Sequence, residues 1–212
     1  TSVGTNVFRG LRRVEYRQST ASSNLLAHPE FIGLTGAGSS WGVTNSPVIT
    51  NRIAALDGSG AVATQFVCSG SGQGPYQFVP TTIGQTYTFA FTIALTSGSA
   101  AFNNINANAG PPNSGLNVNL STGAVSSIGA GVASYSIVAV PGGWRIRITA
   151  VATATSTGPG FVSGVAETLL VWNMGYFAGS SDLGAILGST RSDNHKLIAA
   201  GASIGRTTRR RV

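Results

Sequence analysis

The chain has 212 residues with a formal net charge of +7, and only 9% of them are charged, whereas soluble domains usually carry about 25%. Its 29 glycines, together with many Ser, Thr and Asn residues, suit short strands joined by turns. A single cysteine, Cys68, excludes an intrachain disulfide and a cysteine metal cluster, and there is no apolar run of 18 residues of the kind that spans a membrane.

The first predicted element lies at residues 7–17. Val7, Leu11 and Val14 fit one side of a helix, but Gly10 weakens that interpretation and an extended arm fits as well. Further along the chain, apolar and polar residues alternate with period two, as in strands with one buried face. Strands are predicted at residues 62–67, 87–95, 116–120, 134–140, 144–155 and 167–177.

The segment between two of these strands, residues 97–114, has no period and is predicted to be a long functional loop. After residue 120, Ser121, Thr122 and Gly123 form a predicted hairpin turn into the next strand. Short strands at this spacing, without helices between them, predict an all-β fold, a jelly-roll β-sandwich of two antiparallel sheets. We expect extended N- and C-terminal arms at residues 1–23 and 181–212 around a sandwich at 24–180.

The charge collects at the two ends of the chain. Residues 1–21 carry four arginines and one glutamate, residues 191–212 carry six Lys or Arg and one aspartate, and the body between them is close to neutral. A body without a basic face does not predict nucleic-acid binding. Basic ends that dock onto acidic protein neighbours fit better, and the candidate docking residues are Arg9, Arg12, Arg13, Arg17, Arg206, Arg209, Arg210 and Arg211.

Two more arginines stand inside the predicted strand "GGWRIRITA", residues 142–150. Alternation directs Trp144 and Ile146 toward the core, so Arg145 and Arg147 face away from it. Their guanidinium groups either keep the sheet soluble and protect its edge, or bind carboxylates of an acidic neighbour or polysaccharide. The sequence leaves both interpretations open.

Four segments of the chain together resemble a known family. They are "NLLAHPEFIG", "TIGQTYTFAFTIAL", "VNLSTGAVSSIGAG" followed by "PGGWRIRITAVATAT", and "ETLLVWNMGYFAG". In this order they resemble the jelly-roll modules of bacteriophage tail-fibre, tailspike and other virion proteins, which look like concanavalin-type carbohydrate-binding modules. The resemblance covers residues 24–179. It implies a role in the phage particle, a surface that faces sugar, and inward positions for Trp144 and Trp172.

Catalysis is not predicted. Glycoside hydrolysis needs two carboxylates about 5 to 10 Å apart, and no motif pairs those of the body, which are Glu30, Asp57, Glu167 and Asp182. His28 and His195 have no nucleophile motif beside them. Asp57 and Asp182 are the candidates for a calcium site, but a plain turn explains "LDGSG" equally well. We therefore predict no enzyme activity, no metal and no cofactor.

A sugar-binding surface usually combines an exposed aromatic ring with polar side chains. Trp41 is one candidate ring, although burial at one end of the sandwich suits it better. The candidate contact face for glycan or protein consists of Trp41, Tyr76, Phe102, Asn103, Asn104, Asn106, Arg145 and Arg147.

Together these features predict a non-enzymatic structural protein of the bacteriophage virion, either a capsid decoration or head-fibre subunit, or a tail-fibre or adaptor subunit. Its basic termini dock onto other virion proteins while the sandwich faces outward, after synthesis in the host cytoplasm. We expect a homo-oligomer, with a trimer favoured by analogy with fibres. The alternative is a carbohydrate-binding receptor module that recognises host surface glycans, with a surface polysaccharide as its partner.

Overall fold

The computed structural model describes residues 24–26, 41–98, 102–107 and 113–180. Within these ranges the chain forms strands and no helix, so no helix there is long and apolar enough to cross a membrane. The strands are β1 Gly42–Thr44, β2 Val48–Ala54, β3 Val62–Cys68, β4 Gly74–Tyr76, β5 Val79–Pro80, β6 Thr86–Gly98, β7 Phe102–Asn106, β8 Gly115–Asn119, β9 Val125–Ile128, β10 Val132–Val140, β11 Gly143–Val151, β12 Ser156–Thr157, β13 Gly160–Val162 and β14 Glu167–Ala178.

The strands form two antiparallel six-stranded sheets. The first sheet has the order β1-β4-β13-β7-β8-β9, and the second has the order β10-β11-β6-β14-β3-β2. A short ladder, β12-β5, lies beside them. The predicted all-β sandwich of two antiparallel sheets is therefore confirmed. The predicted arms at 1–23 and 181–212, and the element at 7–17, lie outside the described residues.

The core lies between the two sheets and follows the period-two alternation. On β6, Phe89, Phe91 and Ile93 are fully buried, as the alternation predicts. Phe161 of the first sheet packs against the second sheet, with its ring centroid 5.4 Å from that of Phe66 and 5.9 Å from that of Phe91. Such aromatic pairs add about 0.5–1.5 kcal/mol each beyond the area they bury.

Trp144 also points inward, as expected, and it packs against this core. Its Nε1 donates to the carbonyl of Leu120 at 2.7 Å. The indole lies over Gly123, where a Cβ atom would come within 2.6 Å of the ring and where φ is +74°. The predicted turn therefore needs glycine both for its backbone conformation and for its contact with Trp144.

Trp172 differs from the expectation. Leu169 and Val171 point into the core, so Trp172 lies with Leu170 on the outer face of the second sheet. It is nevertheless only 1% exposed, because it packs in a second apolar cluster with Ala55, Ala63 and Ala94. The inward prediction was wrong because β14 carries large apolar residues on both faces, so its pattern does not distinguish them.

The predicted loop at 97–114 is also partly wrong. Strand β6 continues to Gly98, and β7 forms within the segment, at Phe102–Asn106, and pairs with β8 and β13. Asparagine is disfavoured in strands, so its repetition here concealed β7. Short strands at 42–54, 74–80 and 156–162 were not predicted either.

Candidate functional site

A cleft of about 400 Å³, lined by both polar and apolar groups, opens on the outer face of the second sheet. Its walls come from the β2–β3 connection, the β10–β11 turn, and strands β6, β11 and β14. The described residues that line it are Asp57, Ser59, Thr92, Val140, Pro141, Arg145 and Asn173.

Asp57 is held in place by hydrogen bonds to both of its carboxylate oxygens. Oδ1 accepts from the backbone N–H of Ser59 at 2.9 Å and from its hydroxyl at 2.6 Å. Oδ2 accepts from Nε1 of Trp172 at 2.8 Å. Burial raises the pKa of Asp57, but the hydrogen bonds from Ser59 and Trp172 outweigh this effect and leave the pKa below its usual 3.8. The cleft therefore has a fixed negative charge at neutral pH.

Two turns meet at the end of the cleft. The connection that carries Asp57 closes with a hydrogen bond from the N–H of Ala55 to the carbonyl of Ala61, at 3.0 Å. Leu56, within it, lies against Gly142 of the β10–β11 turn, where a Cβ atom would come within 2.5 Å of Leu56 Cβ. Any larger residue at position 142 would push these turns apart and change the cleft.

A β-bulge forms the opposite wall. The register between β14 and β6 shifts between Trp172 and Gly175, and Asn173 inside this shift has a φ of 52°. Nη1 of Arg145 donates to the carbonyl of Asn173 at 2.6 Å. Bulges commonly re-aim side chains beside functional sites, and backbone strain collects at such sites. Here the bulge brings Asn173 to the cleft and holds the Arg145 guanidinium there.

The cleft therefore contains a fixed anion, a held cation, hydroxyl groups and an amide. Thr92 lies at its base, 4% exposed, and Ser59 lies at its rim. Asp57 is the one carboxylate among the described lining residues. These groups are suited to binding a polar ligand through hydrogen bonds, whereas glycoside hydrolysis uses a pair of carboxylates.

Arg147 lies outside the lining of this cleft. Like Arg145 it faces away from the core, as predicted, because Ile146 and Ile148 are fully buried. Its Nη2 donates to the carbonyl of Ser180, while its Nε is buried without a hydrogen-bond partner. The two arginines therefore have different surroundings, and Arg145 is the one that joins the cleft.

Two other predicted contact residues serve the fold. Trp41 is 5% exposed and packs in the core, so its ring cannot stack on a sugar at the surface. Tyr76 covers Gly42, whose Cβ would lie 2.4 Å from the ring. Beside Tyr76, Phe78 is 64% exposed and the two ring centroids are 5.4 Å apart. Phe78 is an exposed aromatic that the sequence analysis did not select.

Asn103 was predicted to lie on a contact face but is fully buried. Its Nδ2 donates to Oε1 of Glu167 at 2.7 Å, and the N–H of Gly164 donates to the same oxygen at 3.2 Å. Oδ1 of Asn103 and Oε2 of Glu167 are buried without hydrogen-bond partners. Burial raises the pKa of Glu167, and the hydrogen bonds from Asn103 and Gly164 offset part of this rise.

The remaining contact candidates lie on β7, in the first sheet. Nδ2 of Asn104 donates to Oδ1 of Asn117 at 2.8 Å, and Nδ2 of Asn106 donates to Oδ1 of Asn113 at 3.3 Å. Phe102 begins the strand. These asparagines connect neighbouring segments of the first sheet, so the predicted contact face is not one continuous surface.

The predicted docking arginines at both ends lie outside the described residues, as do His28, Glu30, Asp182 and His195. In the part of the chain that is described, no three His, Cys, Asp or Glu side chains come together as a metal site would require. Asp57, the described candidate for calcium, instead forms the turn and Trp172 contacts given above.

Sequence analysis missed most of the cleft. Thr92 and Asn173 are polar residues of the kind that strands commonly contain, and Pro141 is typical of a turn, so none of the three indicates a binding site. The bulge at Asn173 depends on pairing with β6, a partner distant in sequence, so no local pattern reveals it. Asp57 was considered for catalysis and for calcium binding, but not for binding a polar ligand. The sequence feature that indicates the site is Arg145, because the strand pattern places its side chain on the outer face of the sheet.

Comparison with solved structures finds sandwich modules at low sequence identity. The CBM22-1 xylan-binding domain from Paenibacillus barcinonensis Xyn10C is 13% identical, with a TM-score of 0.46, over 76% of this chain and 97% of that domain. TmCBM61, solved in complex with β-1,4-galactotriose, is 16% identical, with a TM-score of 0.44, over 74% of this chain and 100% of that one.

The enzymatically active domain of bacteriophage CBA120 tailspike protein 4 is 12% identical, with a TM-score of 0.44. The match covers 74% of this chain but 21% of the tailspike chain, so this chain spans about a fifth of that protein's length. No protein-family model matches the sequence, and no curated protein sequence does so either. Identities this low say nothing about activity, ligand or partner.

Proposed function

We propose that this chain is a non-enzymatic structural subunit of a bacteriophage virion, a decoration, fibre or adaptor subunit that docks through its basic ends and displays its sandwich outward. The observation that carries the proposal is the separation of charge. Six of the last 22 residues are Lys or Arg, whereas no charged residue and no histidine occurs between residues 58 and 144. A chain whose body is close to neutral and whose ends are cationic suits a subunit held by acidic neighbours.

The test is incorporation into phage particles. Deletion of residues 206–212, or replacement of Arg209, Arg210 and Arg211 by Gln, should reduce the amount of the chain in purified particles. The matched control is Arg147→Gln, which removes one cation from the sandwich. Quantitative mass spectrometry of particles purified at low and high salt measures the outcome. Normal incorporation of the truncated chain at both salt concentrations would disprove docking through the C-terminal arginines.

Recognition of a host surface glycan is the second candidate, and the cleft favours it. A carboxylate and a guanidinium held at fixed positions, together with hydroxyl and amide residues in the same lining, can pair with the hydroxyl donors and acceptors of a sugar. The groups are already ordered by contacts within the protein, which lowers the entropy cost of binding. The proposed ligand site is the outer face of the second sheet, at Asp57, Thr92, Arg145 and Asn173.

A glycan array with the full chain tests this second candidate. Arg145→Gln should abolish binding or weaken it by about tenfold or more, as expected for loss of a charged hydrogen bond. Arg147→Gln, on the same strand but outside the cleft, should bind like wild type. If no glycan is bound, or if both variants lose binding equally, the cleft is not the glycan site.

A further inference from the structure

The four outermost strands of the sandwich differ in how well their free edges are protected. They are β1 and β9 in the first sheet, and β10 and β2 in the second. A free edge presents backbone N–H and C=O groups that pair readily with another chain. Proteins prevent such pairing with short strands, charged residues, proline or bulges.

Three of these edges have such protection. β1 has three residues and β9 has four, too few for an extended ladder. β2 has seven residues but contains Arg52, with a φ of 63°, at a register shift between Thr50 and Ile53. The charge and the shift both interrupt pairing at that edge.

β10 has none of these protections along most of its length. It has nine residues, Val132–Val140, without a charged residue or a proline. Its irregularity lies between Val132 and Ser134, and the register with β11 is continuous from there to Val140. Tyr135 is 43% exposed and Val138 is 54% exposed. Among the described strands, none pairs with the outer edge of β10.

The edge strands β9 and β10 both lack charged residues, and the nearest described charges are Arg145 and Arg147 on the adjacent β11. Three residues separate β9 from β10, so the free edges of the two sheets lie on the same side of the sandwich. Ile128 of β9 adds a third large apolar side chain there and is 53% exposed. Neither of these two edge strands itself offers an ion pair to a charged partner. If β10 of a second copy paired with this edge, no two like charges would face each other across the paired strands, because β10 has no charged residue.

We infer that β10 of one copy pairs antiparallel with β10 of a second copy around a two-fold axis, which joins the two second sheets into one twelve-stranded sheet. Such an interface is isologous, so each copy supplies the same backbone donors and acceptors. The pairing covers the one long edge that lacks such protection among the described strands, and it reduces the exposure of Val138 and Tyr135. It requires neither the basic ends nor the cleft, and it therefore stands apart from the proposed function.

Sedimentation velocity of the full chain over a concentration series tests this pairing. Wild type should form a concentration-dependent dimer. Val138→Glu should weaken the dimer by about tenfold or more, because the new carboxylate would be removed from water when the two β10 strands pair. Within one copy, position 138 is opposite Arg145, so the new carboxylate gains a cross-strand partner and the monomer should stay folded.

Val48→Glu is the matched control, because Val48 is also an exposed edge valine of the second sheet, on β2, and is 66% exposed. This variant should dimerise like wild type. Ser134→Glu repeats the test at another exposed position of β10, and circular dichroism checks the fold of each variant. A monomeric wild type, a trimer, or a dimer that both β10 variants leave unchanged would overturn the inference.

Discussion

At the scale of single residues, the two carboxylates of the described sandwich, Asp57 and Glu167, have pKa values shifted in opposite directions by their surroundings. Asp57 accepts three hydrogen bonds at the rim of a cleft, and they keep it ionised. Glu167 is 4% exposed between the sheets, where burial raises its pKa. Its Oε2 and Oδ1 of Asn103 are both acceptors without donors. A proton on Glu167 supplies a donor that the ionised form lacks, so the neutral acid suits this position.

The Glu167 environment predicts a dependence of stability on pH. Because the folded pKa lies above the unfolded value near 4.5, the stabilisation is complete below that value and is lost as the pH rises through the folded pKa. Glu167→Gln carries no titrating proton. Between pH 4 and pH 8, the unfolding free energy of wild type should therefore fall relative to that of this variant. Urea unfolding at several pH values measures the difference.

Asp57→Asn provides the control for that measurement, because its pH-dependent change lies at and below 3.8 and its profile between pH 4 and pH 8 should run parallel to that of wild type. The folded pKa of Asp57 lies below 3.8, so its stabilisation is present above that value and is lost as the pH falls through the folded pKa. If wild type and Glu167→Gln showed parallel pH profiles, Glu167 would be ionised in the folded protein and the proposed protonation would be wrong.

At the scale of elements, the sequence predicts what local alternation determines. The predicted strands correspond to β3, β6, β8, β10, β11 and β14, and the alternation within β11 gives the outward direction of Arg145. The pattern fails where pairing with a distant strand decides the outcome. Both faces of β14 are apolar, so Trp172 could not be assigned to one, and the asparagines of β7 concealed a strand. The cleft depends on such long-range pairing at the Asn173 bulge.

The bulge in β14 yields a second prediction. Asn173 has a positive φ, which costs alanine about 1–2 kcal/mol but costs glycine little. Asn173→Ala should therefore lower the unfolding free energy by about 1 kcal/mol, while Asn173→Gly should stay close to wild type. Both variants lose the amide, so both should weaken any ligand of the cleft. Thermal and urea unfolding separate the two effects. Equal destabilisation by Ala and Gly would show that the side chain matters for stability, and not the backbone conformation.

At the scale of the whole molecule, the account combines a neutral sandwich with basic ends. The described part of the body has an apolar core between its sheets, a second apolar cluster around Trp172, and a cleft that both Asp57 and Arg145 line. The net charge of +7 comes from the ends of the chain. This division predicts that the ends determine attachment, while the sandwich determines what the attached subunit presents outward.

Immunogold electron microscopy of intact phage particles, with antibodies raised against residues 41–180, tests this account most directly. The account predicts that the antibodies label the exterior of intact particles, and that the labelling decreases when the C-terminal arginines are replaced. Absence of the chain from purified particles would contradict the account, as would labelling that appears only after the particles are disrupted.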